Sequence, residues 1–239
     1  MRIPHETFEC QNCELAPCVP CVQTEFSQLP EHTLLEANDP RYGNWLWENK
    51  EKFREWFGDD VDPVEHGRHQ AEHIAIPLIE YQNREGGQMF TDREAKLLVL
   101  TNLVHDYHEG VTGDLPAPDK TEDFHKLELR ANQEIISKFM DGFLVMDIEK
   151  VMGDFDNKTF VGRAFNAVEN LGYLETGLKA WYVRNHPALT LEEAGKSFAM
   201  GTTVIKAAVK SLQPYREEFP YVDHVIFTHR GAMRELGCL

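Results

Sequence analysis

The sequence predicts an all-α fold, and three observations carry that prediction. After about residue 30, apolar residues recur at three- and four-residue spacing, the period of a helix buried on one face. Two helix starts are written as Thr followed three residues later by Glu, at Thr91–Glu94 and Thr190–Glu193, a capping-box pattern in which each side chain accepts from the other residue's backbone N–H. Alternating strand patterns are nearly absent, with Tyr221–Thr228 the one exception.

Taken in order, residues 1–30 lack periodic apolar pattern and hold several prolines and four cysteines, so they form a Cys-rich N-terminal appendage to a helical domain at 31–239. Trp45, Trp47, Phe53, Trp56 and Phe57 make an aromatic-rich stretch, expected to pack as core or lid. His69 to Gln82 reads as a helix through Ala71, Ile74, Ala75, Leu78 and Ile79, with a kink expected at Pro77. Thr91 to Glu109 is the cleanest helix. Its face of Ala95, Leu98, Val99, Asn102 and His105 delivers His105 inward from an apolar base. Thr121 to Phe139 is amphipathic through Phe124, Leu127, Ala131, Ile135 and Phe139. Phe160 to Val183 buries Phe165, Val168, Leu171 and Leu174, and Thr190 opens a last long helix.

The formal net charge of −16 argues against a sequence-independent nucleic-acid binder, which needs a basic footprint. It leaves room for a small anionic substrate held by a metal and a few local cations. No apolar run reaches membrane-spanning length and the N-terminus has no signal-peptide pattern, so a cytoplasmic protein is expected. Cys10-x-x-Cys13 and Cys18-x-x-Cys21 have the spacing of a metal knuckle and suit a structural zinc, with an iron–sulfur cluster as the alternative. As a zinc knuckle docking RNA or protein the segment is poorly equipped, because Lys and Arg do not flank the thiols.

The chemistry concentrates between Val104 and Lys120. His105-Asp106 offers a nitrogen and an oxygen to one divalent cation, and Glu109 follows within one helical turn. Asp114 sits in a Thr-Gly-Asp turn before Leu115-Pro116-Ala117-Pro118, which cannot continue a helix. A metal with nearby carboxylates is the equipment for hydrolysing a phosphate ester. Upstream, His69 and His73 share a helix face at i,i+4, without the Glu placement of a metalloprotease helix.

Glu72-His73, His105-Asp106-x-x-Glu109 and Thr112-Gly113-Asp114-Leu115-Pro116-Ala117-Pro118-Asp119-Lys120, in that order, resemble the HD-domain phosphohydrolase superfamily, and within it the 5′-deoxynucleotidase branch. The resemblance spans roughly residues 65–185 and implies an HD-domain helical bundle. It implies one active-site divalent metal (Co, Mn, Mg, Zn or Fe) held by His73, His105 and Asp106, with Glu109 activating water and Asp114 positioning the sugar or moving a proton. Lys120 would meet the phosphate. The fourth ligand, an Asp in the family, falls on Glu169 here, whose longer side chain reaches the same metal from a helix set further back. Asp154 and Asp156, in an expected loop, are the weaker alternatives. The branch's Arg-Trp phosphate and base contact is interrupted here as Arg54-Glu55-Trp56, with Arg68 a second candidate cation. His66, taken as exposed, and His125 and Asn132 are expected to be structural, and His108 a near-site residue.

The expected function is release of phosphate from (deoxy)nucleoside 5′-monophosphates. The alternatives are a dNTP triphosphohydrolase of the same superfamily and an inactive nucleotide-binding module. The resemblance also implies a homodimer, while the apolar runs and the acidic charge predict no membrane and no nucleic-acid partner.

Overall fold

The computed structural model describes residues 63–109, 121–154 and 157–239. The cysteine segment, the aromatic stretch with Arg54 and Trp56, Asp114, Lys120 and Asp156 lie outside the described residues. Every regular element among the described residues is helical. None of these helices is long and apolar enough to cross a membrane.

The helices are α1 (Pro63–Gln70), a π-helical segment (Ala71–Ala75), α2 (Ile76–Glu85), α3 (Asp92–Val104), α4 (Glu122–Ile136), α5 (Gly142–Met152), α6 (Phe160–Val183), α7 (Leu191–Leu212), a 3-10 turn (Gln213–Tyr215), α8 (Pro220–Thr228) and α9 (Arg230–Glu235). The chain divides into two compact units, residues 1–69 with 100–153, and residues 70–99 with 154–239.

The first unit contains α1, the end of α3, α4 and α5. Thr121 caps α4 by accepting from the Phe124 N–H, and Asp141 caps α5 through Phe143. Helix α4 packs on α5, with Ala131, Ile135, Ile136, Val145, Ile148 and Val151 buried. Phe139 is exposed, because α4 ends at Ile136 rather than running through Phe139 as expected. The same unit buries an unusual set of polar side chains, among them His66, Asn102, His105, Asp106, His108, Glu109, Glu128 and Asn132. Such groups stay inside only where partners or a ligand satisfy them.

The second unit is built on the antiparallel pair α6 and α7. Thr190 and Glu193 form the expected capping box at the start of α7, and the expected α6 boundaries and buried face hold. The two backbones meet closely at Gly177 and Gly201: a Cβ on Gly201 would lie 2.7 Å from the Trp181 nitrogen. Ser197 Oγ donates to the Ala180 carbonyl at 2.6 Å across the same seam. Before α6, buried Asp154 accepts from the N–H groups of Lys158 and Thr159 and from Thr159 Oγ1. These three donors hold its carboxyl below the usual range against the opposing effect of burial. The loop passes through Asn157 at φ 56, and Arg163 locks it by a two-pronged pair with Glu218 and a bond to the Asn157 carbonyl. Asp154 therefore works as a loop anchor.

Tyr221–Thr228 is a helix, not a strand. Pro220 occupies its first turn, and Val222 and Ile226, four apart, are its buried residues. At Pro77 the helix departs from regular α geometry. The proline has no N–H to return to the His73 carbonyl, and the ladder just before it widens: Ile76 N–H bonds Ala71 O, five residues back.

Candidate metal centre

Two local features of the first unit build the centre. The capping box at Thr91 starts α3 as expected, with Glu94 N–H donating to Thr91 Oγ1 at 3.3 Å and Thr91 N–H to Glu94 Oε2 at 2.9 Å. The helix stops at Val104, short of the expected Glu109. Residues 105–108 form tight turns, with Tyr107 N–H bonded to Val104 O and Glu109 N–H to Asp106 O. Neighbouring side chains on a regular helix point about 100° apart and cannot share one ion. Leaving the helix here is what allows His105 and Asp106 to converge.

The second feature is the close passage of α1. Gly67 lies against the last turn of α3, where a Cβ would be 2.4 Å from the Leu103 carbonyl oxygen and 2.9 Å from that of Asn102. Only glycine permits this approach, and it brings the adjacent His66 onto the turn. His66 is 7% exposed, so the expectation that it is an exposed structural residue is corrected. Its Nε2 lies 3.7 Å from Asp106 Oδ2, and its ring centroid 5.5 Å from that of His105.

His105 Nδ1 is 2.8 Å from the Asn102 carbonyl oxygen, which only accepts, so Nδ1 carries the proton and donates. In neutral imidazole this leaves the lone pair on Nε2, the tautomer that ligates metals. That nitrogen faces Asp106 Oδ2 at 3.2 Å. Two lone-pair atoms at this distance in a buried site repel unless a positive charge, a proton or a metal cation, lies beside them. One donor atom from each of His66, His105 and Asp106 falls within 4.8 Å of the others, and all three residues are buried. The group has the donors to hold a metal ion. Two imidazoles and a carboxylate suit Zn, Fe, Mn or Co better than Mg, which favours an all-oxygen shell.

The chain matches no family model, no curated protein and no solved structure.

Of the expected ligands, the structure brings His105 and Asp106 together and adds His66 to them. His73 is exposed, within the π-helical segment. The sequence contains Glu-His twice, as Glu65-His66 and Glu72-His73, seven residues apart. In an unbroken α-helix, seven residues return to nearly the same face. The π turn removes that equivalence, because each of its residues turns the chain through less than 100°. Glu169 stands half-buried on α6 in the second unit. Glu109 is 4% exposed, and Arg68 is exposed on α1, two residues after the centre's own His66. Asn132 donates to Met152 Sδ, a core contact.

Proposed function

We propose that this chain is a metal-dependent phosphohydrolase acting on nucleotides, releasing phosphate from (deoxy)nucleoside 5′-monophosphates. The observation that carries the reading is the buried His66–His105–Asp106 group with Glu109 interred three residues beyond it, in a chain whose His105-Asp106-x-x-Glu109 run resembles the HD-domain hydrolases. A bound divalent cation supplies a Lewis acid for the phosphoryl group and lowers the pKa of water.

The residues of the chain do the rest. His66, His105 and Asp106 hold the ion, and the Asn102 carbonyl fixes the His105 tautomer. Glu109 is a carboxylate in a site sheltered from solvent, three residues beyond Asp106. In this reading it takes the proton from the attacking water. Asp114 and Lys120 keep the roles the resemblance gives them, sugar or proton handling and phosphate contact, while Arg54, Trp56 and Arg68 are candidates for the phosphate and base.

The test is phosphate release from a panel of deoxynucleoside and nucleoside monophosphates with Mn, Co or Mg. Turnover by the full chain, reduced at least about a hundredfold in Glu109→Ala, is the expected result for loss of a general base. Release of inorganic triphosphate from dNTPs would reassign the substrate. Nucleotide binding without turnover would make it a binding module, and neither binding nor turnover would overturn the reading.

A further inference from the structure

We propose that Glu128 is a positioning residue for the turn that carries Asp106 and Glu109, so that affinity for the metal depends on a side chain that never touches it. The inference rests on the metal reading above.

The turn after α3 carries the two short-range backbone bonds already described in place of a helical ladder. Backbone outside a regular helix needs side-chain contacts to fix it at the precision a metal site requires. His108 lies in this turn, between Asp106 and Glu109, and is itself buried. Its Nε2 points at Glu128 Oε1 on α4, 3.7 Å away, a few tenths of an ångström beyond a hydrogen bond. The other carboxylate oxygen, Oε2, lies 3.2 Å from His125 Nδ1, one turn back on the same helix. One oxygen is thus engaged within α4 and the other is turned toward the metal-bearing turn.

A buried carboxylate is costly unless its charge is met. Glu128, with a side chain only 6% exposed, has an imidazole at each oxygen. Its carboxylate is therefore fixed in direction, as a positioning group must be. The three side chains do not make a second cation site. Among the described residues only His66, His105 and Asp106 bring three donor atoms together. The contact that matters is the one between elements, His108 with Glu128, whereas His125 braces Glu128 from its own helix.

The experiment is a Co(II) titration of the full chain, following affinity and the visible ligand-field bands, which report the geometry around the ion. Glu128→Leu is expected to weaken Co(II) binding about 10–100-fold and to shift the bands, the usual effect of losing a group behind the ligands. Glu128→Gln keeps an oxygen at the same reach and is expected to recover affinity to within about threefold of wild type. A merely structural role would lower the melting temperature without moving the bands. A folded Glu128→Leu chain with wild-type affinity and spectrum overturns the proposal. Should that variant not fold, His108→Leu removes the same contact from the other side, and unchanged Co(II) affinity there overturns it equally. Absence of Co(II), Mn(II) and Zn(II) binding in the wild type would remove the metal reading and this inference together. Tight wild-type binding indifferent to Glu128 removes the inference alone.

Discussion

Gly67→Ala is the sharpest small perturbation available to the metal centre. The added methyl would meet backbone, not a flexible side chain: 2.4 Å to the Leu103 oxygen and 2.9 Å to the Asn102 oxygen. Ordinary contact begins at 3.4 Å, so α1 must withdraw from Leu103 by 3.4 − 2.4 = 1.0 Å. His66 is the next residue and moves with it. From 3.7 Å, its nitrogen would then lie up to about 4.7 Å from Asp106 Oδ2. Donors about 2.1 Å from a tetrahedral zinc are only about 3.4 Å apart, so His66 would be out of reach. The expected loss is at least about tenfold in metal affinity, or about 1.4 kcal/mol. An overpacking penalty of about 1–3 kcal/mol in stability should accompany it. Calorimetric titration with Zn(II) or Mn(II), beside a thermal melt, reads both. Gly142→Ala is the control, since a Cβ there meets nothing within 4 Å. Wild-type metal affinity in Gly67→Ala would refute the argument, because the one side chain drawn in by that close approach would then be dispensable.

Four further outcomes follow from the geometry. His66→Ala should purify with little bound metal by elemental analysis, while His73→Ala, altering an exposed position, should keep its metal; the reverse result would restore His73 as the ligand. Asp154→Ala should cost about 2–3 kcal/mol by chemical denaturation, the scale of bonds to a charged acceptor. Because the Asp154 pKa is lowered in the fold, its contribution is complete above the ordinary carboxylate value of 3.8 and is lost as pH falls through the lower folded value. Melts from pH 7 downward should therefore show a shallower acid limb in that variant. Gly201→Ala should destabilise by about 1–3 kcal/mol, since its Cβ would press on the Trp181 backbone, and an unchanged melting temperature would mean the α6–α7 seam is looser than described.

The fold was legible where local rules act alone. The Thr91 and Thr190 capping boxes and the whole of α6 follow from caps and from apolar spacing. Boundaries set by tertiary contact were not. Nothing in the periodicity of α3 announces that it stops at Val104, although the pairing of adjacent His and Asp as ligands requires some such break. His105 and Asp106 were readable because contiguous residues need no long-range information. The place of His66 beside them was not, because it depends on a glycine whose role appears only when α1 meets α3. Two signals were present in hindsight: the second Glu-His dipeptide at Glu65-His66, and a glycine directly after it.

The polar interior of the first unit has a thermodynamic consequence. A core that spends its volume on imidazoles and carboxylates gives up hydrophobic stabilisation, leaving more of it to apolar neighbours such as Ile135, Ile136 and Ile148. An ion that binds only the folded arrangement returns part of it, about 2.7 kcal/mol when free metal stands a hundredfold above its dissociation constant. The persistence of that unit then becomes a function of metal supply. A chelator would loosen α4 and α5 before it could be said to inhibit anything, and hydrogen exchange in those helices would track the free-metal concentration.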